Sequence, residues 1–265
     1  MKTACTCAAI LVAALACPRL AAQHLSDDDL KKANNPLANA KSFNLHEYYA
    51  PSIYEAPDVR GNSLLIRFAM PLAKGTILLR ATQPVSTVYT GENAAGKQTY
   101  ASGLGDLSFF ATYTLSKATA KWLVGLGPQF VFPTATRQQA GAGKVQAGAA
   151  LILFNVHQPA LQWGGLITYQ HSIAGQSDRN DAQLLVVQPI GIFQLGKGAY
   201  LRTSGVMNFD LENQVYVVPV GFGAGHVVKV GKTVFNVFLE PQLTVLHYGP
   251  GQPSFQLFAG MNAQF

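Results

Sequence analysis

Seven charged side chains sit inside stretches that otherwise alternate between apolar and polar residues: Arg67, Arg80, Asp106, Lys144, Arg202, Asp210 and Glu240. If those stretches are strands of a membrane barrel, a charge facing lipid at mid-depth costs ~2–4 kcal/mol, so these groups belong in the lumen or near the strand ends. Such charges can form a constriction that orients or selects solutes. They can also pair into a network that fills a narrow lumen, which is the favoured reading for any single one. Arg67, Arg80, Arg202 and Glu240 are the four whose contacts matter most; Asp106 and Lys144 complete the lumen candidates.

Other chemistry finds little support. His171 and Ser172 are neighbours in sequence and therefore point to opposite faces of a strand, a poor geometry for a base and its nucleophile. His157 falls in a short turn and His247 beside Tyr248 at a loop edge, and Glu240 could meet His247 only if a bulge changed the parity between them. Gly231-Lys232-Thr233 resembles the end of a phosphate loop, but the earlier glycine that loop requires is His226, and Gly141-Ala142-Gly143-Lys144 continues with Val145. Gly221, Gly223 and Gly225 share one strand face, where they make room or allow bending. No catalytic, metal or cofactor site is expected.

The elements that would carry these residues are strands. In the final stretch Phe255, Leu257, Ala259, Met261, Ala263 and Phe265 share one parity, against Gln256, Gly260, Asn262 and Gln264. Similar alternation runs through Asn62–Met70, Thr76–Val88, Gly103–Leu115, Lys121–Phe132, Lys144–Val156, Leu161–Ile173, Gln183–Leu195, Ala199–Phe209, Val215–Lys229 and Thr233–Leu246. A closed barrel takes an even number, and Ser42–Tyr49 supplies the best further strand, giving about twelve. Connectors alternate in length. Val230–Lys232, Gly196–Gly198, His157–Ala160, Ser116–Ala120 and Pro71–Gly75 are tight, whereas His247–Pro253, Ala174–Asp181, Pro133–Gly143 and Tyr89–Ser102 are longer, with Asp210–Asn213 the exception. Outer-membrane barrels have this asymmetry, with short periplasmic turns and longer outer loops.

Hydrophobic residues make up 49 % of the chain and charged residues 12 %, about half the charged share of a soluble protein. Residues 1–22 read as a secretory signal: Lys2, the short apolar core Ala8–Ala16, and Leu20-Ala21-Ala22 as the exit. A lipoprotein cut before Cys17 is a weaker alternative. All three cysteines (Cys5, Cys7, Cys17) precede residue 23, so a mature chain would have no disulfide or thiolate site. Removal of Lys2 and Arg19 with the signal would lower the formal charge from +6 to about +4, too mild to imply nucleic acid. Residues 23–41 read as a periplasmic leader with a short helix, capped by Ser26 and carrying Asp27–Asp29 and Lys31-Lys32 at opposite ends, with a plug inside the barrel as the alternative. Residues 42–265 form the barrel.

Alternation alone does not say which face is outside, but the signal, the aromatic terminus and the unbroken series of hairpins favour the membrane version. The terminal strand resembles the assembly signal of bacterial outer-membrane barrels, with Phe255, Leu257, Met261 and Phe265 as its apolar face. Gly127-Pro128-Gln129-Phe130-Val131-Phe132-Pro133-Thr134-Ala135-Thr136, Leu161-Gln162-Trp163-Gly164-Gly165, Gln188-Pro189, Phe193-Gln194-Leu195-Gly196, Glu240-Pro241-Gln242 and Gly251-Gln252-Pro253-Ser254-Phe255 follow in order. Together they resemble the outer-membrane proteins named after the meta-pathway of phenol degradation, over most of residues 43–265. That resemblance implies an all-β antiparallel barrel in the bacterial outer membrane that transports small, aromatic or hydrophobic molecules. Its partners would be membrane lipid, the barrel assembly machinery and the solute. A non-transporting structural or lipid-binding barrel is the alternative, and an outer-membrane hydrolase a remote one.

Overall fold

The structure, a computed structural model, describes Leu25, Leu30 and residues 33–265 other than Ala118 and Pro159. The expected signal (1–22) and most of the expected leader helix lie outside the described residues, although Leu30 and Ala33 are helical. Fifteen strand segments follow in one antiparallel sheet: β1 (Ser42–Ile53), β2 (Gly61–Leu72), β3 (Ile77–Glu92), β4 (Gln98–Leu104), β5 (Leu107–Thr114), β6 (Trp122–Phe132), β7 (Lys144–Asn155), β8 (Leu161–Gly175), β9 (Gln183–Gly196), β10 (Ala199–Thr203), β11 (Met207–Asp210), β12 (Val215–Gly221), β13 (Gly223–Val230), β14 (Thr233–Tyr248) and β15 (Pro253–Gln264).

Three pairs of segments are single crossings with a break: β4/β5 at Gly105-Asp106, β10/β11 at Ser204–Val206 and β12/β13 at Phe222. The segments therefore make twelve crossings, and the sheet closes where β1 pairs with β15, Ser42 opposite Gln264 through Tyr49 opposite Leu257. Closure removes the open edges of the wall, and β4, off the closed path, pairs with β3 alone. The expected first strand and the expected closure are both present. The expected Tyr89–Ser102 loop is a correction: β3 runs on to Glu92 and pairs with β4 from Gln98, so only residues 93–97 turn. Thr90, Thr99, Thr87 and Ser102 cross-link this extension through hydroxyl bonds, so its sequence lacks an apolar stripe.

The faces are now distinguishable. Leu126, Leu153, Trp163, Phe193, Val220, Phe222, Leu239 and Leu243 lie on the outside, with Phe222 64 % and Leu243 61 % exposed. Gln129, Gln146, Gln162, Gln170, Gln242 and Glu240 are buried on the inside. An apolar surface of this extent on a monomer calls for a non-aqueous neighbour. Aromatic groups gather toward both ends of the wall: Trp122 packs edge-on against Trp163 at 4.8 Å at one end, and Phe209, Tyr216 and Tyr248 stack in series at the other. Phe255, Leu257, Met261 and Phe265 have the outward parity, and the Phe265 amide donates to the Lys41 carbonyl at 3.0 Å.

The inner face departs from the expected polar lining. Ile152, Phe154, Ile192, Tyr200, Val227, Phe238 and Phe258 point inward and are among the most buried residues. All but Phe154 belong to two cores toward the end of the barrel that carries the tight turns. Ala33 and Ala38 are buried, Ala33 joins the core around Tyr200 and Phe258, and Leu37 packs on the other around Ile152 and Phe110. Asn236 Nδ2 donates to the Ala33 carbonyl (3.1 Å) and to Asn34 Oδ1 (2.8 Å). Residues 33–40 thus sit in the turn-end mouth rather than in solvent.

Candidate functional site: the barrel lumen

The six lumen candidates divide into three kinds. Arg202 and Glu240 form a buried pair, Nε to Oε2 at 2.8 Å, with Glu240 fully enclosed. The pair follows from the break in the β10/β11 crossing, which carries Arg202 and is separated from β14 by β12/β13. Where β10 ends, the Ser204 amide loses its ladder partner, and Glu240 Oε1 accepts it at 2.8 Å. Ser204 Oγ donates to Glu240 Oε2 at 2.8 Å, and Gln242 Nε2 donates to Oε1 at 2.9 Å. Gln256 Nε2 extends the chain to Gln242 at 2.6 Å. A buried carboxylate with this many donors meets the requirement that an enclosed charge be paired and hydrogen-bonded. The inward glycines make the space: a Cβ on Gly221 would strike Glu240 and Gln242, and one on Gly225 would strike the Tyr200 ring.

Asp106 and Lys144 hold loops. Asp106 lies in the break between β4 and β5, not within a strand as expected, and accepts the Ala135 and Ala142 amides at 3.1 and 2.7 Å. It therefore folds the 133–143 loop back over the break. Lys144, buried at the start of β7, reaches Asp181 in the 176–182 loop at 2.9 Å. Asp210, at the end of β11, accepts the Asn213 amide (3.1 Å) and Asn213 Nδ2 (2.8 Å), a turn contact.

Arg67 and Arg80 differ from the others. Among the described residues neither has a carboxylate within ion-pair distance, and both Nε atoms are buried without a partner. Arg67 Nη1 lies 2.8 Å from His46 Nδ1. A guanidinium can only donate, so Nδ1 accepts and the imidazole proton sits on Nε2, 2.7 Å from Asn262 Oδ1. The Arg80 guanidinium lies over the Phe110 ring at 4.3 Å, a geometry that steadies a cation against an aromatic face. Arg202 similarly covers Phe238 at 3.5 Å, and Phe238 fits because β15 has Gly260 opposite it; a Cβ there would overlap the ring.

These residues divide the lumen. A cavity of about 500 Å³ occupies the loop end and one of about 160 Å³ the turn end, and Arg67, Arg80 and Gln188 line both. The smaller cavity is also lined by Ala33–Pro36, Ala38 and Ala40. His46 and Phe258 were not among the expected site residues. His46 has the inward parity of β1, and Phe258 is an apolar residue on the polar face of β15.

A bulge lies between Thr244 and Leu246 in β14, so Glu240 and His247 do share a face. His247 nevertheless stacks on Tyr54 at 3.6 Å, while Glu240 is held by Arg202, Ser204 and Gln242. Ser172 Oγ accepts the Ala182 amide. No group of three or more His, Cys, Asp or Glu that could hold a metal ion occurs among the described residues.

No family model and no curated protein sequence matches the chain. Solved structures do. The COG4313 outer membrane channel from Pseudomonas putida F1 is similar over 86 % of this chain and 96 % of its own, with a TM-score of 0.63 at 13 % identity. The chain shares the barrel fold of that channel. The NanC porin is similar over 84 % of this chain and 98 % of its own, with a TM-score of 0.53 at 9 % identity. At these identities the likeness is one of architecture. It agrees with the closed barrel and leaves the lining residues to be read from this chain alone.

Proposed function

We propose that this chain is a passive channel of the bacterial outer membrane, through which small molecules diffuse along the barrel axis. The observation that carries the proposal is the pair of cavities meeting at Arg67, Arg80 and Gln188. A solute entering at the loop end crosses this layer and leaves past residues 33–40. The loop end faces outward and the tight turns face the periplasm, as the connector lengths and the reading of residues 1–22 as an export signal support. Lipid surrounds the apolar wall. The barrel assembly machinery reads the terminal strand through Phe255, Leu257, Met261 and Phe265. Resemblance to the phenol meta-pathway group supports aromatic or hydrophobic solutes, and the chain acts without enzymatic chemistry or a cofactor.

Uptake of labelled benzenesulfonate and of a small sugar, neither of which crosses lipid readily by itself, into proteoliposomes tests this reading. Entry severalfold faster than into empty vesicles is expected for solutes small enough for the two cavities. No increase, with the barrel shown to be folded, would refute it. A second reading is favoured by the occupied turn end: with Ala33 and Leu37 packed in the cores, the barrel would be permanently closed and serve as a structural or lipid-binding protein. Uptake that stays at background after removal of residues 23–40 would select that reading.

A further inference from the structure

The loop-end cavity has two unlike walls. On one side Arg67 and Arg80 project from β2 and β3 as diagonal neighbours, because Arg67 stands opposite Thr82 while Arg80 stands opposite Ala69. On the other side β8 and β9 turn Leu166, Leu184 and Val186 toward the same space. The contrast with Arg202 is informative, since that guanidinium is matched by Glu240 and Arg67 and Arg80 have no such carboxylate among the described residues. Two neighbouring guanidinium groups in a wall of low dielectric repel each other and are stabilised by an anion placed between them. His46 and Phe110 fix the two side chains at one edge each, which leaves further N–H donors on both.

We propose that this cavity is a binding site for a small organic monoanion. Its carboxylate is held by Arg67 and Arg80, and its hydrocarbon or aromatic body lies against Leu166, Leu184 and Val186. A cavity of about 500 Å³ is within the range that encloses small ligands. Thr168, Gln170 and Gln188 alternate with these apolar side chains on the same wall, and the Asp106 carboxylate that also borders the cavity is taken up by the Ala135 and Ala142 amides. The proposal deepens the channel reading by naming the solute class for which the arginine layer is built.

Calorimetric titration of the full chain in detergent micelles tests it with three probes: benzoate, benzyl alcohol (the ring without the charge) and acetate (the charge without the ring). Benzoate is expected to bind about tenfold or more tightly than either, the increment of one charge-assisted contact or one buried ring. The double variant Arg67→Gln/Arg80→Gln is expected to bring benzoate down to the level of benzyl alcohol, and Arg67→Lys/Arg80→Lys to retain part of the preference. Folding of each is checked by heat-dependent mobility on gels. Equal binding of benzoate and benzyl alcohol to the unaltered chain would overturn the arginine half of the proposal, and acetate binding as tight as benzoate the apolar half. Because the titration reads binding and the vesicle assay reads passage, the two readings can fail separately. Benzoate bound while the vesicle assay shows no passage would leave the site and refute the channel; unselective uptake without benzoate binding would do the reverse.

Discussion

Glu240 ties a break in the wall to a charge in the lumen. Its two oxygens take up the Ser204 amide, the Ser204 hydroxyl, Gln242 and Arg202, so one side chain both repairs the β10/β11 break and neutralises a buried guanidinium. Removing one member of a buried pair leaves the other uncompensated, which costs ~3–5 kcal/mol. Glu240→Ala is therefore expected to lower stability by about that amount, read as a shift in the urea midpoint in micelles, whereas Gln256→Ala at the edge of the network should cost ~1 kcal/mol. Gly225→Ala should cost ~1–3 kcal/mol by overpacking, since its Cβ would meet the Tyr200 ring. The charges themselves were legible in the sequence, because an ionised residue inside an alternating run has few places to go. Their division into a buried pair, two loop anchors and two arginines without a carboxylate partner was not. That division depends on Ser204 and Asp106 sitting at strand breaks, and a break changes no residue type in a way that periodicity records. Phe258 and Ile152 escaped for a related reason: on the inward parity they read as lapses in a polar face, when they are the packed core of the turn end.

At the scale of elements, β15 has the parity and the partner that its sequence implies. Asn262 bonds His46 and Gln256 bonds Gln242 inside the lumen, while Phe255, Leu257 and Met261 face away from it. Register in a barrel wall is pinned because a one-residue slip would exchange the apolar and polar faces. Phe43 stands opposite Ala263, and no cysteine follows Cys17. The double variant Phe43→Cys/Ala263→Cys should consequently be closed into a ring by a short bis-maleimide reagent, giving altered mobility on denaturing gels. A chain that stays linear under conditions that label both thiols would contradict the β1–β15 closure. The hairpin β3–β4 was half hidden, since Gln98–Ser102 carries hydroxyl and amide groups without an apolar face. Its outer part stands off the closed wall, since β4 pairs with β3 alone.

The whole molecule is an inverted protein: exposed leucines and phenylalanines around the waist, and glutamines, paired charges and two aromatic-rich cores within. Alternation gave the strands without the hand of this inversion, and the burial of Gln162, Gln242 and Glu240 supplies it. Residues 33–40 narrow the turn-end mouth, held by Asn236 and by Leu37 in its core. Removing residues 23–40 is expected to raise single-channel conductance severalfold, and Asn236→Ala to produce intermediate, flickering openings. The most direct test of the account is the current carried by the unaltered protein in a planar bilayer, with each preparation shown to be folded by its gel mobility. Discrete steps of small conductance, reduced when benzoate is added, are predicted. A folded barrel that gives no steps, and none after residues 23–40 are removed, would contradict the claim that this lumen is a path.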